Sequence, residues 1–428
     1  MNCNTQNAKI ASITEKTLIV GIDVGSETHY ARAFDWRNYE YSKKPLEFSN
    51  TETGFLTLKA WMEDIAEKHG KTAVIPGMEP TGHYWFALGK FLQDSGMKPV
   101  HVNPHHVKKS KELDDNNPNK NDRKDPKTIA ALVNEGRYSY PYIPTGIYAE
   151  IRSLSNLRFQ TQEELTRIKN WIARWFSIHF PEYKDVYRDL KAVSGRMVLK
   201  AAPLPEDIVK LGAEGVNQIW RNAKLRGAGM KRAKTLVTAA EHSVGSKEAP
   251  EAARIELKNL LNDMDVYASR QEELLLSIEE KLKEIPYIDK LMEIKGIGLV
   301  TVSGFIAEVG DIGRFDNPKQ LQKLAGYAIV ANDSGKHNGE SRISYRGRKR
   351  LRYVLYEAAI SLIGKNAEFR EIHEYYRNRK ENPLKKMQSV VAIACKVIRV
   401  FYAILTKGVD YDAEKLMGDI RRPQMQAA

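Results

Sequence analysis

The chain has 428 residues, of which 42% are hydrophobic, and its 67 Lys+Arg against 54 Asp+Glu leave a formal net charge of +13. That length holds two or three domains, and that share of apolar side chains excludes wholesale disorder. Two cysteines, Cys3 and Cys395, exclude a disulfide scaffold and a cysteine-based zinc site, while the positive balance favours a polyanionic partner, nucleic acid before acidic membrane. No apolar run is read as a membrane span, because Lys396 and Arg399 interrupt the stretch 390–405, and no signal peptide is read at the N-terminus. A reducing cytosol is the expected compartment.

The first 140 or so residues alternate strand and helix signals. Residues 17–23 form a nearly continuous apolar run, the pattern of a strand buried on both faces. Strands are expected next at 28–35 and 44–49. Asn50 reads as a helix N-cap, followed by the apolar stripe Phe55, Leu56, Leu58, Trp61 and Ile65. A strand over 72–78 leads into Glu79, then a helix over 82–92 and a strand over 97–102. Such an order predicts a mixed sheet covered by helices. Residues 105–121 are polar and Asn-rich and read as a surface loop, with a helix starting near Pro126.

From Ala149 onward the spacing is helical, through Ile151, Leu154, Leu157, Leu165, Ile168, Trp171 and Ile172, until Pro181. A second long helix is expected over 250–284. The two predict a helical hairpin or coiled coil with an inserted, less regular middle at 212–245. The remainder reads as compact and mostly helical, ending in a helix from about Gln388 with a strong apolar face and Cys395 as a small core residue.

Four acids stand out. Asp23 ends the first strand, Glu79 follows a later one, and Asp122 and Asp125 lie three apart at the expected helix start, where both would share one helix face. Clustered carboxylates repel unless a cation neutralises them, and hard oxygen ligands favour Mg²⁺ or Mn²⁺. Two such ions are a common device for breaking and joining phosphodiesters. Lys120, Arg123, Lys124 and Lys127 make a basic rim suited to a polyanion. The plain alternatives are a solvated strand end for Asp23 and helix capping for the Asp122/Asp125 pair. Gly21-Ile22-Asp23-Val24-Gly25 also resembles the first phosphate loop of sugar kinases and actin-like ATPases. Their second phosphate loop and adenosine motif are missing here, Asp311-Ile312-Gly313 being the nearest candidate.

Downstream, Lys295-Gly296-Ile297-Gly298 has the look of a helix–hairpin–helix turn, offering backbone N–H groups and Lys295 to a phosphate without reading sequence. The plain alternative is a tight turn between core helices. Ser334 lies in the polar turn Asn332-Asp333-Ser334-Gly335-Lys336. Arg342, Arg346, Arg348, Lys349, Arg350 and Arg352 follow with no acid among 342–352. That block reads as a phosphate clamp or as a solvated helix face, and not all six can point the same way.

These motifs together resemble the DEDD-type insertion-sequence transposases, insertion-sequence family one hundred and ten. The matching residues are Gly21-Ile22-Asp23, Met78-Glu79-Pro80-Thr81-Gly82, Asn103-Pro104, and Asn121-Asp122-Arg123-Lys124-Asp125. Further on they are Lys295 to Gly298, Arg314-Phe315, Leu324-Ala325-Gly326, Ser334-Gly335-Lys336 and Gly347 to Arg352. The resemblance spans about 17–180 and 286–365. It implies an α/β RuvC-like domain with the RNase H fold over 1–145. A helical coiled-coil region follows over 146–285, then a mostly α-helical transposase domain over 286–428. It implies Asp23, Glu79, Asp122 and Asp125 as Mg²⁺-holding acids and Ser334 as nucleophile, with Ser341 and Ser344 nearby. It further implies a bridge RNA, a structured noncoding RNA that pairs with donor and target DNA, and a covalent phosphoserine link. A homo-oligomer would follow, a dimer or a tetramer on the synapse, working in the cytoplasm at the nucleoid. The region 183–250 is longer than in a compact member. The other readings are a RuvC-like nuclease or Holliday junction resolvase, and a non-catalytic nucleic-acid-binding protein.

Overall fold

The structure is a computed structural model, and it describes residues 3–42, 44–80, 82–114, 125–188, 190, 192–330, 333–334, 337–338 and 341–426. The chain divides into two compact units, Met1–Ile143 and Pro144–Ala428.

The first unit is built on a six-stranded sheet of order β3-β2-β1-β4-β5-β6. In chain order its elements are α1 (Cys3–Ala11), β1 (Thr17–Val24), β2 (Thr28–Phe34), β3 (Leu46–Ser49), α2 (Glu52–Lys68), β4 (Ala73–Met78), α3 (Trp85–Asp94), β5 (Val100–Val102), α4 (Pro104–Asp114), α5 (Asp125–Asn134) and β6 (Tyr138–Ser139). β1, β2 and β3 are antiparallel, β4 and β5 run parallel to β1, and β6 closes the edge antiparallel. This mixed sheet is compatible with the RNase H-like fold. The central strand β1 is apolar on both faces because both are covered. Leu18, Val20, Ile22 and Val24 pack with α2 and α3, while Ile19 packs with α5 residues such as Ile129 and Val133.

Several local expectations shift. The cap of α2 is Thr51 and not Asn50: extended Thr51 accepts from the Gly54 N–H at 3.2 Å, while Asn50 Nδ2 donates to Ser26 O at 3.0 Å and ties down the β1–β2 turn. Residues 105–114 are helical and not loop. Asn103 Oδ1 accepts from the His105 N–H at 2.9 Å, Pro104 takes the first helical position, and Val107 is buried beneath. The polar composition of that stretch hid an N-cap-plus-proline signal that was present in the sequence.

The second unit is helical: α6 (Gly146–His179), a short α7 (Tyr183–Val186), α8 (Val193–Ala201), α9 (Pro205–Asn222), α10 (Met230–Glu241), α11 (Pro250–Leu282), α12 (Ile288–Met292), α13 (Leu299–Val309), α14 (Pro318–Ala325), α15 (Lys349–Lys365), α16 (Ala367–Asn378), α17 (Lys386–Lys407) and α18 (Ala413–Gln426). α6 and α11 lie antiparallel. Ile151 near the start of α6 shares a core with Ile278 and Leu282 at the end of α11, and Trp175 Nε1 near the end of α6 donates to Ala253 O at 3.0 Å. The stretch 212–245, expected to be less regular, holds most of α9 and all of α10. α9 kinks at Gly212, and Trp220 is fully buried, with its Nε1 donating to Ser194 O at 2.9 Å. α7 to α10 pack with the far halves of α6 and α11 into a core of their own.

α17 corrects the expectation that no segment matches a membrane span: its 22 residues are long and apolar enough by length and composition. Over half of its most apolar stretch is buried, 56%, with Val390, Ile393, Val397, Phe401 and Ile404 in the core shared by α13 and α15. Burial within the protein accounts for that apolarity. Cys395 sits on this helix, and burial pushes its thiol up to about 11, which suits a packing residue rather than a nucleophile.

Candidate functional site

The parallel register of β1 with β4 pairs Ile22 with Met78. The next residue on each chain is Asp23 on one side and Glu79 on the other, so the two acids leave adjacent strands at the same edge, one strand spacing of about 4.8 Å apart. Strand alternation sets their face. On β1 the even residues 18–24 face α2 and α3, so Asp23 shares the α5 side with Ile19 and Gly21. Gly21 lies directly under the start of α5: a Cβ there would sit 1.8 Å from Pro126 O. Gly77, paired with Gly21, lies beneath Val133 and Ile129 of the same helix. Two glycines thus let α5 press onto β1 and β4, bringing its first residue, Asp125, to the edge that carries Asp23 and Glu79.

All three acids are half-buried, and each makes a polar or electrostatic contact. Asp122 lies outside the described residues, as do Lys120, Arg123 and Lys124. Among the described residues no group of three or more His, Cys, Asp and Glu side chains is placed to hold a metal ion. The donors that share this edge are carboxylate oxygens, a chemistry that suits Mg²⁺ or Mn²⁺.

Two histidines support this edge, and their roles are not marked in the sequence. His29 is fully buried, and its Nδ1 accepts the Gly25 N–H at 3.1 Å, fixing the turn just after Asp23. Burial holds its pKa below the ordinary range, so it is a neutral acceptor. His101 on β5 is paired with Met78 and meets Trp85 edge-on at 4.2 Å, pinning the start of α3 beyond the Glu79 loop. Burial pushes its pKa down to about 4. Both roles rest on burial and on contacts made only in the folded sheet, so no short-range pattern announces them.

In the second unit, Gly296 has a left-handed φ of +104° and lies 3.3 Å, measured from the place of a Cβ, from Ser361 O of α15. Ser361 Oγ donates to Gly296 O at 2.7 Å. The close approach made possible by Gly296 is therefore to α15. Gly298 is exposed and is the N-cap of α13, whose first turn carries neither an acid nor a side-chain cap. Lys295 is exposed beside it.

Ser334 ends the two-residue strand β7 (Asp333–Ser334), which pairs antiparallel with β8 (His337–Asn338), with Ser334 in register with His337. Lys336 and Gly335 lie outside the described residues. The neighbouring serines differ. Ser344 Oγ donates to Gly326 O at 3.2 Å and accepts from the Arg346 N–H at 3.3 Å, the bonding of a turn former, whereas Ser341 is exposed.

The six basic residues divide. Arg348 Nη1 donates to Glu308 O at 2.7 Å and pairs with its carboxylate at 3.5 Å. Arg352 Nη1 donates to Ala325 O at 3.0 Å and Tyr345 O at 3.2 Å. Arg348 thus ties the start of α15 to α13, and Arg352 ties α15 to the end of α14 and to the preceding loop. Arg350 hydrogen-bonds Asn156 on α6. Arg342, Arg346 and Lys349 are exposed and available to a phosphate backbone.

Comparison with known proteins matches both units. A DEDD transposase family model of the IS110 type covers residues 20–181, the span that contains all four acids. A second, described as "Transposase IS116/IS110/IS902 family", covers 288–377, the span of the glycine turn, Ser334 and the basic block. Among curated proteins, the chain is 24% identical to the insertion element IS116 uncharacterized 44.8 kDa protein of Streptomyces clavuligerus, over 90% of this chain and 94% of that one. It is 23% identical to the IS900 uncharacterized 42 kDa protein of Mycobacterium paratuberculosis, over 66% and 71%. It is 25% identical to the transposase for insertion sequence element IS1111A of Coxiella burnetii, over 36% and 44%. With both transposase models matched in order along the chain and an insertion-element relative aligned over 90% of it, the chain belongs to the IS110 family of insertion-sequence transposases.

Proposed function

We propose that the chain is an RNA-guided DNA recombinase that exchanges strands between a donor and a target through a phosphoserine–DNA link. The observation that carries this reading is the register pairing Ile22 with Met78, which sends Asp23 and Glu79 out of adjacent parallel strands beneath Asp125. Asp23, Glu79 and Asp125, with Asp122 from the undescribed segment, would hold the divalent cation. That cation supplies charge neutralisation at a phosphate and activation of an attacking oxygen. The Ser334 hydroxyl would form a new ester to the scissile phosphorus while a DNA hydroxyl departs, so the number of phosphoester bonds is conserved and strands can be resealed. Arg342, Arg346 and Lys349 would neutralise backbone phosphates. A bridge RNA, a helical part over 146–285 and an oligomer on the synapse belong to the same proposal, as does a cytoplasmic setting.

The test is strand exchange by the full chain, co-expressed with its flanking element sequence. Asp23→Asn is expected to abolish divalent-dependent exchange while leaving the melting temperature unchanged. Ser334→Ala is expected to abolish any covalent protein–DNA adduct on denaturing gels. DNA cutting that persists in Ser334→Ala without an adduct would replace the recombinase with a RuvC-like nuclease. A discrete structured RNA co-purifying with the chain supports the guide, and only heterogeneous nucleic acid counts against it.

A further inference from the structure

The second unit contains a cavity of about 340 Å³ between α6, α13 and α15. Its lining includes Arg158, Phe159, Gln162, Thr301, Arg350 and Tyr353. Arg350 stacks its guanidinium over the Phe159 ring at 4.3 Å, and Phe159 meets Tyr353 edge-on at 6.4 Å. Arg158 is half-buried, and neither Arg158 nor Arg350 forms a salt bridge with a described carboxylate. Burial, together with the like charge of Arg350, pulls the Arg158 pKa down from its ordinary value. Two cations held close without an acid between them are an arrangement that an anion relieves. Val300 and Thr301 bring the first turn of α13 to the same cavity; its N-cap, Gly298, offers no side-chain cap, and the Thr301 N–H is taken by Gly298 O at 2.9 Å. The lining holds one acid, the exposed Glu357.

We propose that this cavity takes one unstacked nucleotide of a single-stranded nucleic acid, its base against Phe159 and Tyr353 and its phosphate between Arg158 and Arg350 at the start of α13. The chemistry excludes the simpler occupants. A bare phosphate would leave the aromatic wall unused, and an apolar ligand would leave two guanidinium groups without an anion. A paired duplex keeps its base faces inside its own stack, whereas a flipped or single-stranded base offers a face to an aromatic side chain. The volume suits one small-molecule-sized group and not a helix. The inference rests on the reading of the second unit as a nucleic-acid-binding surface and adds a subsite to it. It also gives the glycine turn a purpose: Ser361, bonded to Gly296 O, lines the same cavity and sets the start of α13 against α15.

The test is fluorescence anisotropy of the full chain with three labelled 12-mers: single-stranded DNA, single-stranded RNA of the same sequence, and the DNA duplex. Tyr353 is 53% exposed, so Tyr353→Ala leaves the core intact. It is expected to weaken single-strand binding by about 5- to 100-fold, the loss of one stacked base, with duplex binding within about two-fold. Tyr353→Phe is expected to restore binding, and Arg158→Gln to reproduce the loss. A loss confined to RNA identifies a guide nucleotide, and one confined to DNA an unpaired DNA base. Unchanged single-strand binding in Tyr353→Ala, or an equal loss for duplex and single strand, overturns the pocket. If wild-type protein binds none of the three even at low salt, the nucleic-acid reading of the whole unit falls with it.

Discussion

Gly21→Ala tests the contact on which the acidic edge depends. An alanine Cβ at this position would lie 1.8 Å from Pro126 O and 3.0 Å from the Ala130 N. The obstruction is backbone in the first turn of α5, so no side-chain rotation relieves it. α5 must retreat from β1 by more than about 1 Å, since a carbon–oxygen contact needs over 3 Å. Overpacking of this kind costs about 3 kcal/mol, near the top of its usual range, or roughly 10 °C in the melting of the first unit. The same shift carries Asp125 away from Asp23 and Glu79, and a displacement of about 1 Å in a reacting constellation lowers rates by on the order of 100-fold. Gly77→Ala is the internal comparison. Its Cβ would meet Val133 Cγ2 at 2.6 Å, a methyl group that can turn aside. It is expected to lose about half as much stability and far less activity. The assay is urea unfolding followed by Trp61 and Trp85 fluorescence, paired with divalent-dependent strand exchange. A Gly21→Ala protein that unfolds and reacts like wild type would refute the packing of α5 on β1 and the convergence of the acids.

The remaining predictions concern pH and the basic block. His101 has a folded pKa of about 4, and its unfolded value is near 6.5. The unfolded chain therefore takes up the proton first as pH falls, so the stabilisation is complete above about 6.5 and is lost progressively toward 4. The full loss is about 3 kcal/mol, and urea midpoints measured between pH 7.5 and 4.5 should show it. His101→Gln should flatten that slope, and an unchanged slope would place the linkage elsewhere. Arg346→Gln is expected to weaken duplex binding and lower its salt dependence by about one unit without altering the melt. Arg348→Gln is expected to lower stability by about 1–3 kcal/mol, because it strips the Glu308 carbonyl and its buried carboxylate of their partner. Equal effects of the two substitutions on melting would contradict their different placement. Trp220→Phe removes the bond to Ser194 O and should destabilise the chain by about 1–2 kcal/mol in the same unfolding assay.

Much of the local structure was written in short-range patterns. The apolar run of β1, the alternation of β2 and the 3.6-residue stripes of α6 and α11 follow from periodicity alone, because a buried face demands apolar residues at its own repeat. Where sequence reading slipped, the missed signal was local too: Asn103-Pro104 starts α4, and Thr51 rather than Asn50 caps α2. The four acids, the glycine turn and Ser334 were visible as motifs, and the family they point to is the one the comparisons return.

What only the tertiary structure decided is which of these residues meet. Periodicity cannot supply the register that sets Asp23 beside Glu79, because strand pairing joins residues 56 positions apart through backbone bonds that carry no residue code. Nor can a run of six cations reveal that Arg348 and Arg352 are spent on carbonyls of α13 and α14 while Arg342, Arg346 and Lys349 are exposed. Helix geometry and the carbonyls within reach divide them, and both belong to the packed chain. The cavity lined by Arg158, Phe159, Arg350 and Tyr353 is of the same kind. Its members lie on two helices nearly two hundred residues apart, each unremarkable on its own helix, and folding alone brings their cations and rings to one place.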